Sequence, residues 1–139
     1  MLFRSIKEAS GNLEQVAEII AGSPDDFLVY SGDDAITLPM MAIGAFGVIS
    51  VVSHVAGLQI KSMIDAFVSG DVTGAAGLHC QLLPLFKAAF ITTNPIPIKA
   101  ALEMCGLPAG SLRPPLLAAT DGERAVIRAA LTDLGLCVT

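Results

Sequence analysis

The chain is poor in charge and in aromatic rings: 15% of its 139 residues are Asp, Glu, Lys or Arg, 5% are aromatic, and there is no tryptophan. Its 8 basic residues are scattered and outnumbered by 13 acidic ones, for a net charge of −5. No basic patch is therefore available for a phosphate backbone, and no nucleic-acid partner is expected. The three cysteines, Cys80, Cys105 and Cys137, are far apart and lack C-x-x-C spacing. They signal neither a disulfide framework nor a zinc site, and reduced thiols in a cytoplasmic protein are the plain expectation. No G-x-S-x-G, P-loop or G-x-G-x-x-G segment occurs, which leaves esterase, nucleotide-hydrolase and dinucleotide readings without an anchor. No long apolar run follows Met1–Ile6, so no secretory leader is expected.

Charge is also missing from a long internal stretch, since no Asp, Glu, Lys or Arg lies between Ala35 and Ile60. By length alone that run could cross a bilayer. It is interrupted by Pro39, Gly44, Gly47, Ser50, Ser53, His54 and Gly57, and helix-like spacing gives way to the β-branched block "VISVV". A helix, a turn and a buried strand explain it better than a membrane span, because buried strands of α/β proteins also lack polar alternation.

What is present is apolar: 53% hydrophobic residues and a mean hydropathy of +0.69, which exclude disorder. Leu2–Lys7 is predicted as a strand, followed by a helix capped by Asn12 with Gln15 as its reciprocal partner and with Leu13, Val16, Ala17 and Ile20 on its buried face. Phe27–Ser31 is predicted as a second strand, covered on both sides. Asp33 or Asp34 starts the next helix, delayed or kinked by Pro39, and "GVISVV" forms a third strand. This alternation predicts parallel βα units joined by right-handed crossovers. From Gly57 onward the pattern is helical: Leu58–Ser69, then Asp71 to about Ile91. Next come a helix capped by Asn94 with Pro95 first and Gly106 past its end, and a last helix opened by Thr120 and Glu123 that stops at Gly135. "LPAGSLRPPLLAA" is an extended connector. Residues 1–70 are thus expected to form the βα part and 71–139 a helical extension.

Lys7 is the residue with most chemical interest. Strand alternation sends it to the side opposite Ile6 and Glu8, and a lysine shielded from water presents a neutral amine that can attack a ketone to form a Schiff base. An exposed strand-end lysine without a role is the competing explanation. "YSGDD" ends the second strand, where Gly32 lets a ligand approach the backbone, and the third strand brings the carbonyl of Ile49 or Ser50 to the same rim. Gly32 can equally serve only as a turn, and Asp33 and Asp34 as helix caps; two adjacent carboxylates pointing apart are poor support for a metal site. His54 and His79 are expected to be structural.

Together, "IKEASGNLEQV", "YSGDDAITLPM", "GVISVVSHVA" and "NPIPIKAAL" resemble the C-terminal half of the dihydrodipicolinate synthase family of pyruvate-dependent aldolases and lyases, which includes N-acetylneuraminate lyase. "NPIPIK" favours the synthase branch. The resemblance implies an α/β chain forming part of a TIM (β/α)8 barrel, its last three βα units with parallel strands, followed by a C-terminal helical extension. It also implies a lyase of lysine biosynthesis that condenses pyruvate with aspartate semialdehyde, with Lys7 as the Schiff-base lysine, Gly32 beside the substrate pocket and the Ile49 carbonyl beside pyruvate. No metal or cofactor is implied. A barrel of this kind needs about 250 residues. The Gly-Thr-Thr-Gly-Glu segment, the proton-relay tyrosines and the carboxylate-binding arginine of the family have no counterpart here. The expected partners are therefore pyruvate and either further copies of the chain or a complementing N-terminal half. A non-catalytic fragment acting as an assembly module is the alternative.

Overall fold

A computed structural model describes residues 3–136, so Leu2 and Cys137 lie outside the described residues. The elements run β1 (Ser5–Glu8), α1 (Leu13–Gly22), β2 (Leu28–Ser31), a 3-10 turn (Asp34–Ile36), α2 (Thr37–Ala42), β3 (Gly47–Val48), then α3 (Ser53–Val68), α4 (Val72–Ala88), α5 (Ile96–Met104) and α6 (Asp121–Asp133). The strands form a sheet in the order β1-β2-β3, and both pairings are parallel. Because the order follows the chain without reversal, crossovers of one hand put their helices on one face. Val16 of α1 and Met40 of α2 accordingly pack with Val29 of β2 and Ala45. The opposite face carries the aligned row Lys7, Tyr30 and Gly47, with Lys7 exposed and Tyr30 half-buried. Among the described residues the outer edges of β1 and β3 have no strand partner.

The second strand is covered on one side rather than two. Val29 and Ser31 are buried while Leu28 and Tyr30 are only half so, the alternation of a strand with one packed face. The third strand is shorter than expected, pairing only at Gly47–Val48. Beyond it the Ile49 N–H bonds to the Ser31 carbonyl at 2.9 Å, and the backbone then turns directly into α3. That helix begins at Ser53, so His54 belongs to its first turn.

Local chemistry explains most helix ends. Asn12 caps α1 by accepting from the Glu14 and Gln15 amides, but the expected reciprocal bond does not form. The Asn12 N–H goes to Ser10 Oγ, and Gln15 Nε2 turns to Glu8 Oε1 at 3.4 Å. The buried face of α1 is also rotated, with Val16 buried and Ile19 and Ile20 half-buried, whereas Leu13 and Ala17 are exposed. Asp71 caps α4 through the Gly74 amide. Asn94 does not cap α5: the helix starts at Ile96 with no side-chain cap. The Ile96 N–H is taken by the Thr93 carbonyl, and Pro97 has no N–H to satisfy. Thr120 and Glu123 form the expected capping box on α6. Gly106 and Gly135 close α5 and α6 with φ of +70° and +62°, a backbone conformation that favours glycine.

The main hydrophobic core lies among the helices. Met63 and Ile60 of α3, Leu82, Leu85 and Phe86 of α4, Ile98 and Met104 of α5, and Ile127 and Leu131 of α6 form one cluster. The sheet has a separate cluster with only Val16, Val29, Met40 and Ala45 buried. No helix of the described residues is long and apolar enough to cross a membrane.

Candidate active site

The strand ends bring Lys7 and Gly32 together. Lys7 pairs in register with Tyr30, and the next residues are joined by the Gly32 N–H, which donates to the Glu8 carbonyl at 2.6 Å. A Cβ on Gly32 would sit 2.9 Å from Lys7 Cε, 2.7 Å from Ala9 Cβ and 3.0 Å from the Glu8 carbonyl oxygen. The lysine therefore lies across the second strand end, in space that only glycine leaves free. Glu8 is turned to the helical side and is 5% exposed, with Oε1 accepting from the Ser10 N–H at 2.8 Å.

Ile49 ends the third strand at the same rim. Its side chain is exposed and its N–H is tied to Ser31. Asp33 caps the 3-10 turn through the Ala35 N–H at 2.9 Å, one of the two roles open to the acid pair. Asp34 is instead buried at 2% exposure, and its Oδ2 accepts the Val52 N–H at 3.4 Å. Burial pushes the Asp34 carboxyl above its ordinary pKa, against the lowering effect of the Ser50 hydroxyl and the Val52 and Val51 amides.

Helix α4 supplies residues that local sequence pattern gave no reason to single out. A cavity of about 330 Å³ opens beside Gly32 and Asp33 and is walled by Ala9, Phe86, Lys87 and Phe90. Periodicity places Phe86 on a helix, but nothing in it says that the end of α4 meets the strand ends. The histidines stay outside this group. His54 is exposed. His79 packs its ring 5.7 Å from that of Phe86, and burial lowers its pKa. Cys80 is an exposed thiol and Cys105 is half-buried.

The arrangement offers a primary amine, a backbone approach at a glycine and an adjacent cavity at one end of a parallel sheet. The profile of the Dihydrodipicolinate synthetase family matches residues 3–134. The chain is 58% identical over 133 residues to 4-hydroxy-tetrahydrodipicolinate synthase of Moorella thermoacetica, covering 96% of this chain and 46% of that protein. The lysine-bound enzyme of Cyanidioschyzon merolae superposes with a TM-score of 0.93 at 46% identity, over 96% of this chain and 45% of the other. The chloride-inhibited, pyruvate-complexed enzyme of Acinetobacter baumannii gives a TM-score of 0.87 at 32% identity, over 94% and 45%. The chain thus spans less than half the length of these relatives. With a profile match running almost from end to end and this degree of identity, the chain belongs to the dihydrodipicolinate synthetase family.

Proposed function

We propose that this chain is the lysine-bearing part of a Schiff-base lyase that condenses pyruvate with aspartate semialdehyde in lysine biosynthesis, and that its three strands are the last three of a closed (β/α)8 barrel. The Lys7 amine attacks the ketone carbon of pyruvate to give a carbinolamine, which loses water to form an iminium ion. The iminium draws electrons from the adjacent methyl group, which gives up a proton to leave an enamine, and the enamine carbon attacks the aldehyde. Gly32 lets the substrate approach the backbone beside the lysine, and Ile49 offers a backbone carbonyl beside the pyruvate. No metal or cofactor takes part.

The observation that carries this reading is the Lys7 side chain lying across Gly32, with Lys7 Cε 2.9 Å from where a Cβ would stand. An acid is still needed to expel water from the carbinolamine, and the only tyrosine of the chain is Tyr30. We assign that acid, and the remaining barrel wall, to a complementing N-terminal half or to a second copy of the chain. Borohydride reduction in the presence of pyruvate is the test: a mass adduct on Lys7 is expected once the complementing half is supplied. Its absence with and without that half would reject the role of Lys7.

A second reading draws on the position of the main core, whose buried members come mostly from α3 to α6, with Val48 of β3 only packed against it. On that view the chain is a non-catalytic assembly module. A folded species that never reacts with pyruvate, and whose solution mass rises when a partner is added, would favour it.

A further inference from the structure

Asp34 is a buried carboxylate of the βα part that the condensation chemistry above does not use. It is 2% exposed, and neither ion pair among the described residues includes it. Its Oδ1 has no hydrogen-bond partner. Burying a carboxylate without a cation is unfavourable, so its position calls for a reason.

The carboxylate sits where the loop leaving β2 meets the loop leaving β3. It caps α3 from a distance: Val52, the residue before the helix, has no side-chain cap of its own, and Asp34 lies 18 residues earlier in the chain. The 3.4 Å bond is long, yet attraction of a negative charge to a helix N-terminus does not need ideal geometry. The far end of the segment it holds is packed, with Val52 buried in the main core and Val51 against it, while Ile49 is exposed. Ile49 and Ser50 have left the sheet, and the Ser50–Ser53 bonds, at 2.8 and 2.9 Å, are internal to the turn. Two ties join this turn to the second strand end: the Ile49 N–H to the Ser31 carbonyl at 2.9 Å, and the Asp34 carboxyl, which takes the Val52 N–H and lies beside the Ser50 hydroxyl and the Val51 amide. The Ile49 carbonyl lies between these two ties.

We propose that Asp34 is a positioning residue: by holding the Ile49–Val52 turn against the Gly32 strand end, it sets the direction of the Ile49 carbonyl relative to the Lys7 amine. The inference rests on the Schiff-base reading of the site. Its effect is on substrate placement, so it acts through the concentration of pyruvate required rather than through whether the chain folds.

The test measures borohydride-trapped Lys7 adduct against pyruvate concentration for this chain combined with its complementing half. Asp34→Ala is expected to raise the half-saturating pyruvate concentration about tenfold or more. Asp34→Asn, which keeps an acceptor oxygen for the Val52 N–H, is expected to stay within about threefold of the parent. Ile127→Val, a core change in α6, is a control expected to lower the melting temperature without moving the half-saturation. Where Asp34→Ala does not fold, Val52→Pro removes the donor instead. The φ of −69° at Val52 already suits proline, and this variant is expected to reproduce the loss. An Asp34→Ala or Val52→Pro protein with the parent's half-saturation overturns the proposal, as does Asp34→Asn behaving like Asp34→Ala. A parent chain that is never trapped removes the Schiff-base reading and this inference with it, whereas failure of the variants alone removes only the inference.

Discussion

Gly32 is defined by what surrounds it. An alanine there would place its Cβ against Ala9 Cβ and the backbone of Glu8, at 2.7 and 3.0 Å, and neither can swing aside as a long side chain can. Gly32→Ala is therefore expected to cost roughly 1–3 kcal/mol, the range for overpacking, and to displace Lys7. Urea denaturation reads the first effect and pyruvate trapping the second; unchanged values for both would contradict the contact geometry. Asp34 gives a pH signature of known sign. Its pKa is raised in the folded state, by burial first and by neighbouring Asp33 least. Its contribution to stability is therefore fully present below the ordinary aspartate value and is lost as pH rises through the higher folded value. The stability of Asp34→Asn relative to the parent is expected to improve across that interval, as seen in urea midpoints taken from about pH 4 upward. At this scale the sequence is informative where placement is local to a motif, as with Lys7 and the glycine of "SGDD" at neighbouring strand ends. It offers Asp34 only a local capping role and not its partner 18 residues away, because no periodicity links an acid to a distant amide.

Helix termini carry their own stabilities. Asn12 accepts from two α1 amides, so Asn12→Ala is expected to cost about 1 kcal/mol, measurable as a shift in denaturation midpoint. At α6, the Thr120 N–H and hydroxyl hold the Glu123 carboxyl below its ordinary pKa. That capping contribution is present above the unfolded carboxyl value and fades as pH falls through the lower folded value. Helicity at α6 should therefore weaken on acidification, and Glu123→Gln, which removes the titrating carboxyl, should abolish that pH dependence; circular dichroism of the two proteins across acid pH makes the comparison. Elements bounded by such local rules, including the glycine-terminated α5 and α6, were legible from sequence. Elements bounded by tertiary partners were not. "GVISVV" reads as a full strand, but after the Ile49 N–H bond to Ser31 its second half turns away to begin α3, with the Val52 N–H taken by Asp34. Asn94 reads as a cap, but the Thr93 carbonyl already satisfies the first amide.

At the largest scale, the three-stranded parallel sheet has no strand partner at its two outer edges among the described residues. Phe46, 61% exposed beside β3, meets Tyr30 edge-on at 5.5 Å. Open edges with apolar flanks recruit further strands. The chain on its own is therefore expected to self-associate with rising concentration, and Phe46→Lys to suppress this, both read by analytical ultracentrifugation. A strictly monomeric parent at high concentration would contradict the expectation.

The division of the interior into a broad helical cluster and a small sheet cluster also sets an order of events under stress. Local opening begins where few apolar side chains are shared. A protease applied under mild destabilisation should thus cut first among β1, α1 and β2, leaving a resistant remnant that starts near α3. The Lys7 amine would ride on the portion that lets go earliest, so loss of the proposed chemistry would precede loss of helix, and anything gripping those strands would act first as a splint.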